Sequence, residues 1–196
     1  MDDMREFTEL TESEASEFTR YSVGWHMRDY IKQLTNGFVL EVGCGNGNNT
    51  GRYPHDQYLG IDVSKPLVDA AQKLHPNHKF LLYDGSTIPF GDAEFDTVIC
   101  VSVLSHLHSL EDARQVLREI VRVSKLKAVI LFTNAPTLDD PTKIRTWREP
   151  THFGHTVWSN HYNITDLISG IVGKELVHIH PQHNTVWEIF NDEYSK

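Results

Sequence analysis

The sequence of 196 residues predicts an α/β protein: a mostly parallel sheet with helices on both faces. Two observations carry that reading. Short apolar runs of strand type alternate with segments of helical period from about residue 38 to residue 134. The first of these runs also passes straight into "VGCGNGNNT", where three glycines stand two apart. Glycine is costly to order, so the cluster predicts a tight turn or a backbone that a ligand approaches closely.

The elements follow in order. Residues 13–34 have helical composition, with Phe18, Tyr21, Trp25, Ile31 and Leu34 on partial apolar faces, and Gly24 divides them into two helices. "TNG" at 35–37 ends the second, with Asn36 or Gly37 in a left-handed cap. Strands are expected at 38–42, 58–62, 79–84, 95–103 and 128–134. A helix over 65–75 has Pro66 in its first turn. The helix over 109–124 has the strongest signal, with Ser109 as cap, Asp112 three residues on, and Ala113, Val116, Leu117, Ile120 and Val121 on one face. Residues 135–162 are rich in Pro, His, Trp and Thr without a period, which is long for a loop and points to function. A helix over 165–172 stops at Gly173, and 175–180 and 185–190 read as an antiparallel pair at the end of the sheet.

Composition narrows the function. The chain is 39% hydrophobic and 23% charged, as soluble globular proteins are. It has no apolar run of membrane-spanning length and begins "MDDMREFTEL", so neither a membrane span nor a secretory signal is expected and the compartment expected is cytoplasmic. Cys44 and Cys100 have neither metal-type spacing nor the density of a disulfide framework. The net charge of −9 and the scatter of Lys and Arg disfavour nucleic acid as a partner, "KIRTWR" at 143–148 being the densest basic spot.

The glycine turn is the informative motif. Gly43 and Gly45 begin a dinucleotide fingerprint, but Asn48 stands where that fingerprint wants a small residue. The pattern present is E-x-G-x-G-x-G on Glu41, Gly43, Gly45 and Gly47. Asp62 ends the second strand, Asp84 follows the third, and "IPFGDAEFDTVICVSVLSHL" leads into the fourth. On these motifs, in this order, residues 38–134 resemble the class I S-adenosylmethionine-dependent methyltransferases of small-molecule, type 11-like kind.

The resemblance implies a Rossmann-like, doubly wound sheet of seven strands, mostly parallel with an antiparallel last strand. It implies S-adenosyl-L-methionine as cofactor, held by Glu41, Gly43, Cys44, Gly45, Gly47, Asp62, Val63, Asp84, Gly85 and Val101. In that family the acid matching Glu41 orients the ammonium group, the acid matching Asp62 takes the ribose hydroxyls, and the acid matching Asp84 binds the adenine amino group. Two departures are visible. "SKLKA" replaces the usual Pro-Gly-Gly turn after the 109–124 helix, and the signatures of amino- and cytosine-methylating enzymes are missing after strand four.

One domain is expected: N-terminal helices at 1–36, a cofactor core at 37–134, a substrate lid at 135–164, and a C-terminal helix and strand pair at 165–196. His106, just after the fourth strand, is the candidate general base. Trp147, Arg148, His152, His155 and Trp158 are the candidate substrate contacts. No metal set is expected, and alternation places His178 and His180 together on one outward face. The acceptor expected is a small molecule, with transfer to oxygen ahead of nitrogen. The rival readings are a tRNA or protein acceptor, a non-catalytic regulator that keeps the cofactor pocket, and a nicotinamide-dependent oxidoreductase.

Overall fold

The computed structural model describes residues 7, 9–18, 24–133, 145–150 and 156–191. Among these are nine strands: β1 (Val39–Val42), β2 (Tyr58–Asp62), β3 (Lys79–Leu82), β4 (Phe95–Val101), β5 (Ser124–Leu131), β6 (Arg145–Pro150), β7 (Thr156–His161), β8 (Val177–His180) and β9 (His183–Phe190). Five α-helices accompany them: α1 (Glu12–Glu17), α2 (Trp25–Gln33), α3 (Lys65–Leu74), α4 (Leu110–Val123) and α5 (Ile164–Ile168).

Seven strands form one sheet in the order β3-β2-β1-β4-β5-β9-β8. β1 to β5 pair in parallel, and β9 runs antiparallel to both its neighbours. The expected Rossmann-like sheet, with its antiparallel last strand, is therefore present. The order reverses at β1 and β4, which is where an open α/β sheet opens a crevice for ligands.

Alternation along the strands feeds two apolar layers. Leu40 and Val42 of β1 pack on one face with Ala113, Leu117 and Ile120 of α4 and Leu167 of α5. Val39 of β1 points the other way, with Tyr58, Phe80, Ile99, Val129 and Val186, and is covered by Ile31 of α2 and Ala71 of α3. α1 lies outside that second layer, where Leu10 and Ala15 meet Leu67 and Ala70 of α3. Among the described residues no helix is long and apolar enough to cross a membrane.

Local chemistry explains the helix limits. The Ser109 hydroxyl accepts from the Asp112 N–H at 3.1 Å and caps α4. Ser64, which the sequence reading passed over, caps α3 one residue before Lys65 and Pro66. Gly24 is the N-cap of α2, and Gly37 is left-handed at φ 61°. Val123 joins the buried stripe of α4, and Val121 packs against it half-buried.

Four expectations need correction. α4 runs directly into β5, which starts at Ser124 rather than 128, so "SKLKA" is strand and no separate turn is needed. The Ser124 hydroxyl donates to the Val121 carbonyl at 2.9 Å and closes the helix end. Residues 145–161 contain a hairpin, β6–β7, where no period was visible, because its strands are polar and lack apolar alternation. α5 is five residues long, ending before Gly170, which is left-handed at φ 67°. Finally, His180 is buried beneath α2 rather than lying on a solvated face.

Trp187 of β9 is fully buried, with its ring 4.7 Å from that of Phe132. Removing it leaves a cavity in the layer beneath α4. Trp187→Ala is expected to lower the unfolding free energy by about 3–5 kcal/mol in urea titrations. A loss below about 1 kcal/mol would contradict this packing.

Candidate functional site

The turn that follows β1 is built from backbone donors, with β2 as their acceptor. The Gly43 and Cys44 N–H groups donate to the Ile61 carbonyl at 2.8 and 3.1 Å. The Gly45 N–H donates to Asp62 Oδ2 at 2.8 Å, and the Ser64 N–H donates to Oδ1 at 2.9 Å. Gly43, Gly45 and Gly47 all have positive φ, at 76°, 54° and 86°. At Gly43 the requirement is steric as well, since a Cβ there would lie 2.1 Å from Cγ2 of Val103. The turn therefore presses against the end of β4, at the point where the strand order reverses.

Three asparagines hold the turn from outside. Asn46 donates to the Ala15 carbonyl of α1 at 2.8 Å. The Asn48 carbonyl accepts from Arg28 Nη1 of α2 at 3.1 Å. Asn49 donates to Glu41 Oε1 at 2.5 Å. Arg28 Nε, Asn46 Oδ1 and Asn49 Oδ1 are buried without a hydrogen-bond partner among the described residues. Unpaired buried polar atoms beside a glycine turn are positions that a bound ligand or an ordered water can satisfy. Residue type alone gave no sign of these contacts, because their partners are distant in sequence.

Glu41 is 1% exposed, and its second oxygen, Oε2, accepts from the Tyr58 hydroxyl at 2.5 Å. Burial raises its carboxyl to about 7, opposed by the donors Tyr58 and Asn49 and by the nearby Arg28. Burial also raises Asp62, opposed by the N–H groups of Ser64, Gly45 and Val63. Asp84 is different: it is exposed, and the N–H groups of Thr87 and Ser86 hold it below the usual carboxylate range. Gly85 beside it is left-handed, and a Cβ there would come within 3.0 Å of Val63 Cγ1. Cys44 and Cys100 are buried thiols raised by desolvation, Cys100 to about 12, so neither is a nucleophile at neutral pH.

The strand ends bring the other half of the site. Val101 closes β4, and Ser102 after it has φ 57°, a left-handed conformation that is uncommon outside glycine. His106 ends a single turn of 3₁₀ helix, with Nε2 3.1 Å from the Thr133 hydroxyl beyond β5. This loop is held from above by β7 and the residue after it. Asn160 donates to the Ser105 and Leu107 carbonyls at 3.2 and 2.5 Å, and the Tyr162 hydroxyl donates to the Leu104 carbonyl at 2.8 Å. Trp147 and Arg148 lie on β6, and Trp158 lies on β7 opposite Arg148. His152 and His155 fall outside the described residues.

The raised Glu41 carboxyl fixes a pH dependence. Between about pH 4.5 and about pH 7 the folded chain keeps a proton that the unfolded chain has lost, so stability from this group falls as pH rises through that window. Glu41→Gln is expected to gain stability relative to the parent chain between about pH 5 and about pH 8, by roughly 3 kcal/mol at most. Urea unfolding at both pH values measures it; an unchanged difference would contradict the assignment.

Comparison with known proteins places this geometry. Residues 40–132 match the profile of a family described as a methyltransferase domain. The chain is 31% identical over 110 residues to a tRNA (carboxymethyluridine(34)-5-O)-methyltransferase of Saccharomyces cerevisiae, covering 56% of this chain and 39% of the relative. It is 31% identical over 137 residues to a fatty-acid O-methyltransferase of Mycolicibacterium smegmatis, covering 66% of this chain and 49% of the relative. The chain thus spans about a third to a half of the length of the curated relatives it matches. Among solved structures, a protein of Pyrococcus horikoshii superposes with a TM-score of 0.62 at 21% identity, covering 86% of this chain and 92% of its own. A SAM-dependent methyltransferase of Methanosarcina mazei superposes with a TM-score of 0.59 at 14% identity, covering 86% and 96%. The ordered motifs, the sheet order and the profile match agree: residues 40–132 form a methyltransferase domain with the Rossmann-like fold of the class I S-adenosylmethionine-dependent enzymes.

Proposed function

We propose that the chain transfers a methyl group from S-adenosylmethionine to a carboxylate oxygen of a small-molecule acceptor. The cofactor supplies a methyl group on a sulfonium centre, already activated for in-line displacement. The protein's task is then to align the acceptor and exclude water. Glycine backbone, an acidic strand end and unpaired buried polar atoms fit a ligand with a polar amino-acid end and a ribose. Asp62 would hold the ribose hydroxyls, since each oxygen accepts one N–H and keeps capacity for a second bond. Asp84, Gly85, Val63 and Val101 would flank the base. Glu41, with both oxygens already bonded, would act from beneath the turn, its raised carboxyl giving up its proton when a cationic ligand faces it.

The observation that carries the acceptor class is shared by two relatives. One is named for carboxymethyluridine and the other for fatty acids, and both acceptors offer a carboxyl group to an O-methyltransferase. A carboxylate is ionised at neutral pH and needs no general base. His106, bonded to Thr133, would then position the acceptor or its loop rather than remove a proton. β6–β7 would cover the acceptor with the face on which Arg148 and Trp158 stand together with Asn160, Trp147 being on the other face, because Asn160 and Tyr162 tie this region to the His106 loop.

A small acceptor suits the net charge of −9. A tRNA acceptor is the second reading, favoured by the relatives named for tRNA from yeast and Arabidopsis thaliana. Arg145 or Arg148 on β6 would be its phosphate contact. A non-catalytic regulator is the third, and turnover of any acceptor excludes it.

Radiolabelled methyl transfer to a fatty-acid series and to total tRNA, with alkaline release of label, tests the reading. The expected result is alkali-labile label on a fatty acid, with turnover of His106→Ala within about tenfold of the parent. A loss of about 100-fold or more, together with loss of a near-neutral limb from the pH–rate profile, would assign His106 a proton-transfer duty and contradict the carboxylate reading. Label on tRNA alone would establish the second reading.

A further inference from the structure

At the edge of the sheet away from the glycine turn, two imidazoles and a carboxylate gather on one face. His178 on β8 stands opposite Glu188 on β9, and His180 follows two residues later, so alternation sends both rings to the same side. One nitrogen from each ring and one carboxylate oxygen lie within 4.8 Å of one another. His180 Nε2 is 3.1 Å from Glu188 Oε2. That approaches the ligand-to-ligand edge, about 3.3 Å, of a tetrahedral zinc site with bonds of about 2.0–2.1 Å.

The remaining atoms of the buried ligands already have partners. The Tyr30 hydroxyl of α2 meets His180 Nδ1 at 2.6 Å, which leaves Nε2 for the cluster. Lys127 reaches diagonally from β5 to Glu188 Oε1 at 2.5 Å, which leaves Oε2. His180 and Glu188 are 8% and 7% exposed, whereas His178 is open to solvent. Buried ligands oriented by outer partners, with one open side, are the arrangement that holds a metal ion with water.

We propose that His178, His180 and Glu188 form a binding site for one zinc ion, with solvent completing the tetrahedron. Imidazole and a single carboxylate oxygen suit a borderline metal rather than magnesium or calcium. Lys127 repels a cation and weakens the carboxylate as a donor, so the affinity is moderate. The bound ion would clamp β8 to β9 and, through Tyr30, to α2, the helix whose Arg28 holds the glycine turn. The site is independent of the methyl-transfer reading.

The test is calorimetric titration of chelator-treated protein with zinc chloride, with the visible absorption of added cobalt(II) as second readout. His178→Ala is the decisive variant, because the ring is exposed and the buried His180–Glu188 pair stays intact. The expected result is one equivalent of zinc on the parent chain, a tetrahedral cobalt spectrum, and at least tenfold weaker binding in His178→Ala and Glu188→Gln. No zinc binding by the parent chain, or the same affinity in His178→Ala, would overturn the proposal. Histidines elsewhere bind equally in parent and variant, so they cannot produce the expected difference.

Discussion

The structure depends on how closely the turn after β1 approaches the end of β4. Its backbone donors are taken by Ile61 and Asp62 at the end of β2, and this draws Gly43 against Val103 until no side chain fits between them. The same contact fixes three things at once. It aligns the ends of β1, β2 and β4, it buries Glu41 under the turn, and it sets the glycine backbone at the crevice where the strand order reverses. A residue with a Cβ at Gly43 would push the turn outward and separate all three.

The surrounding elements read as supports for that turn. α1 reaches it through Asn46, and α2 through Arg28 and the Asn48 carbonyl. The connection between β3 and β4 holds no helix; Arg122 of α4 secures it by donating to the Ile88 and Phe90 carbonyls, both at 2.9 Å. On the β7 side Asn160 and Tyr162 fasten the His106 loop. A cofactor that moved the turn would therefore act on the N-terminal helices, and an acceptor that moved β7 would act on the His106 loop.

How much of this was legible in the sequence depends on whether a feature is local. The strands and α4 were readable because apolar period and a Ser109 cap are written within a few residues of each other. Asp62 was readable because the acid that ends the second apolar run, "YLGID", is a local position. Glu41 was readable as an acid before glycines, but not as a buried acid, since Tyr58 and Asn49 come from separate segments. β6–β7 escaped because polar hairpin strands have no apolar alternation. The burial of His180 escaped because it depends on Tyr30, 150 residues away in the chain. The left-handed Ser102 escaped because nothing in residue type announces it.

The central claim is that the Gly43 turn is shaped to receive the cofactor. The most direct measurement is calorimetric titration of the parent chain and Gly43→Ala with S-adenosylhomocysteine, with circular dichroism confirming that both are folded. The account predicts binding by the parent chain and a loss of roughly tenfold or more in the folded variant, from a strained φ and the collision with Val103. Equal affinity in the two folded chains, or no binding by the parent chain, would contradict it.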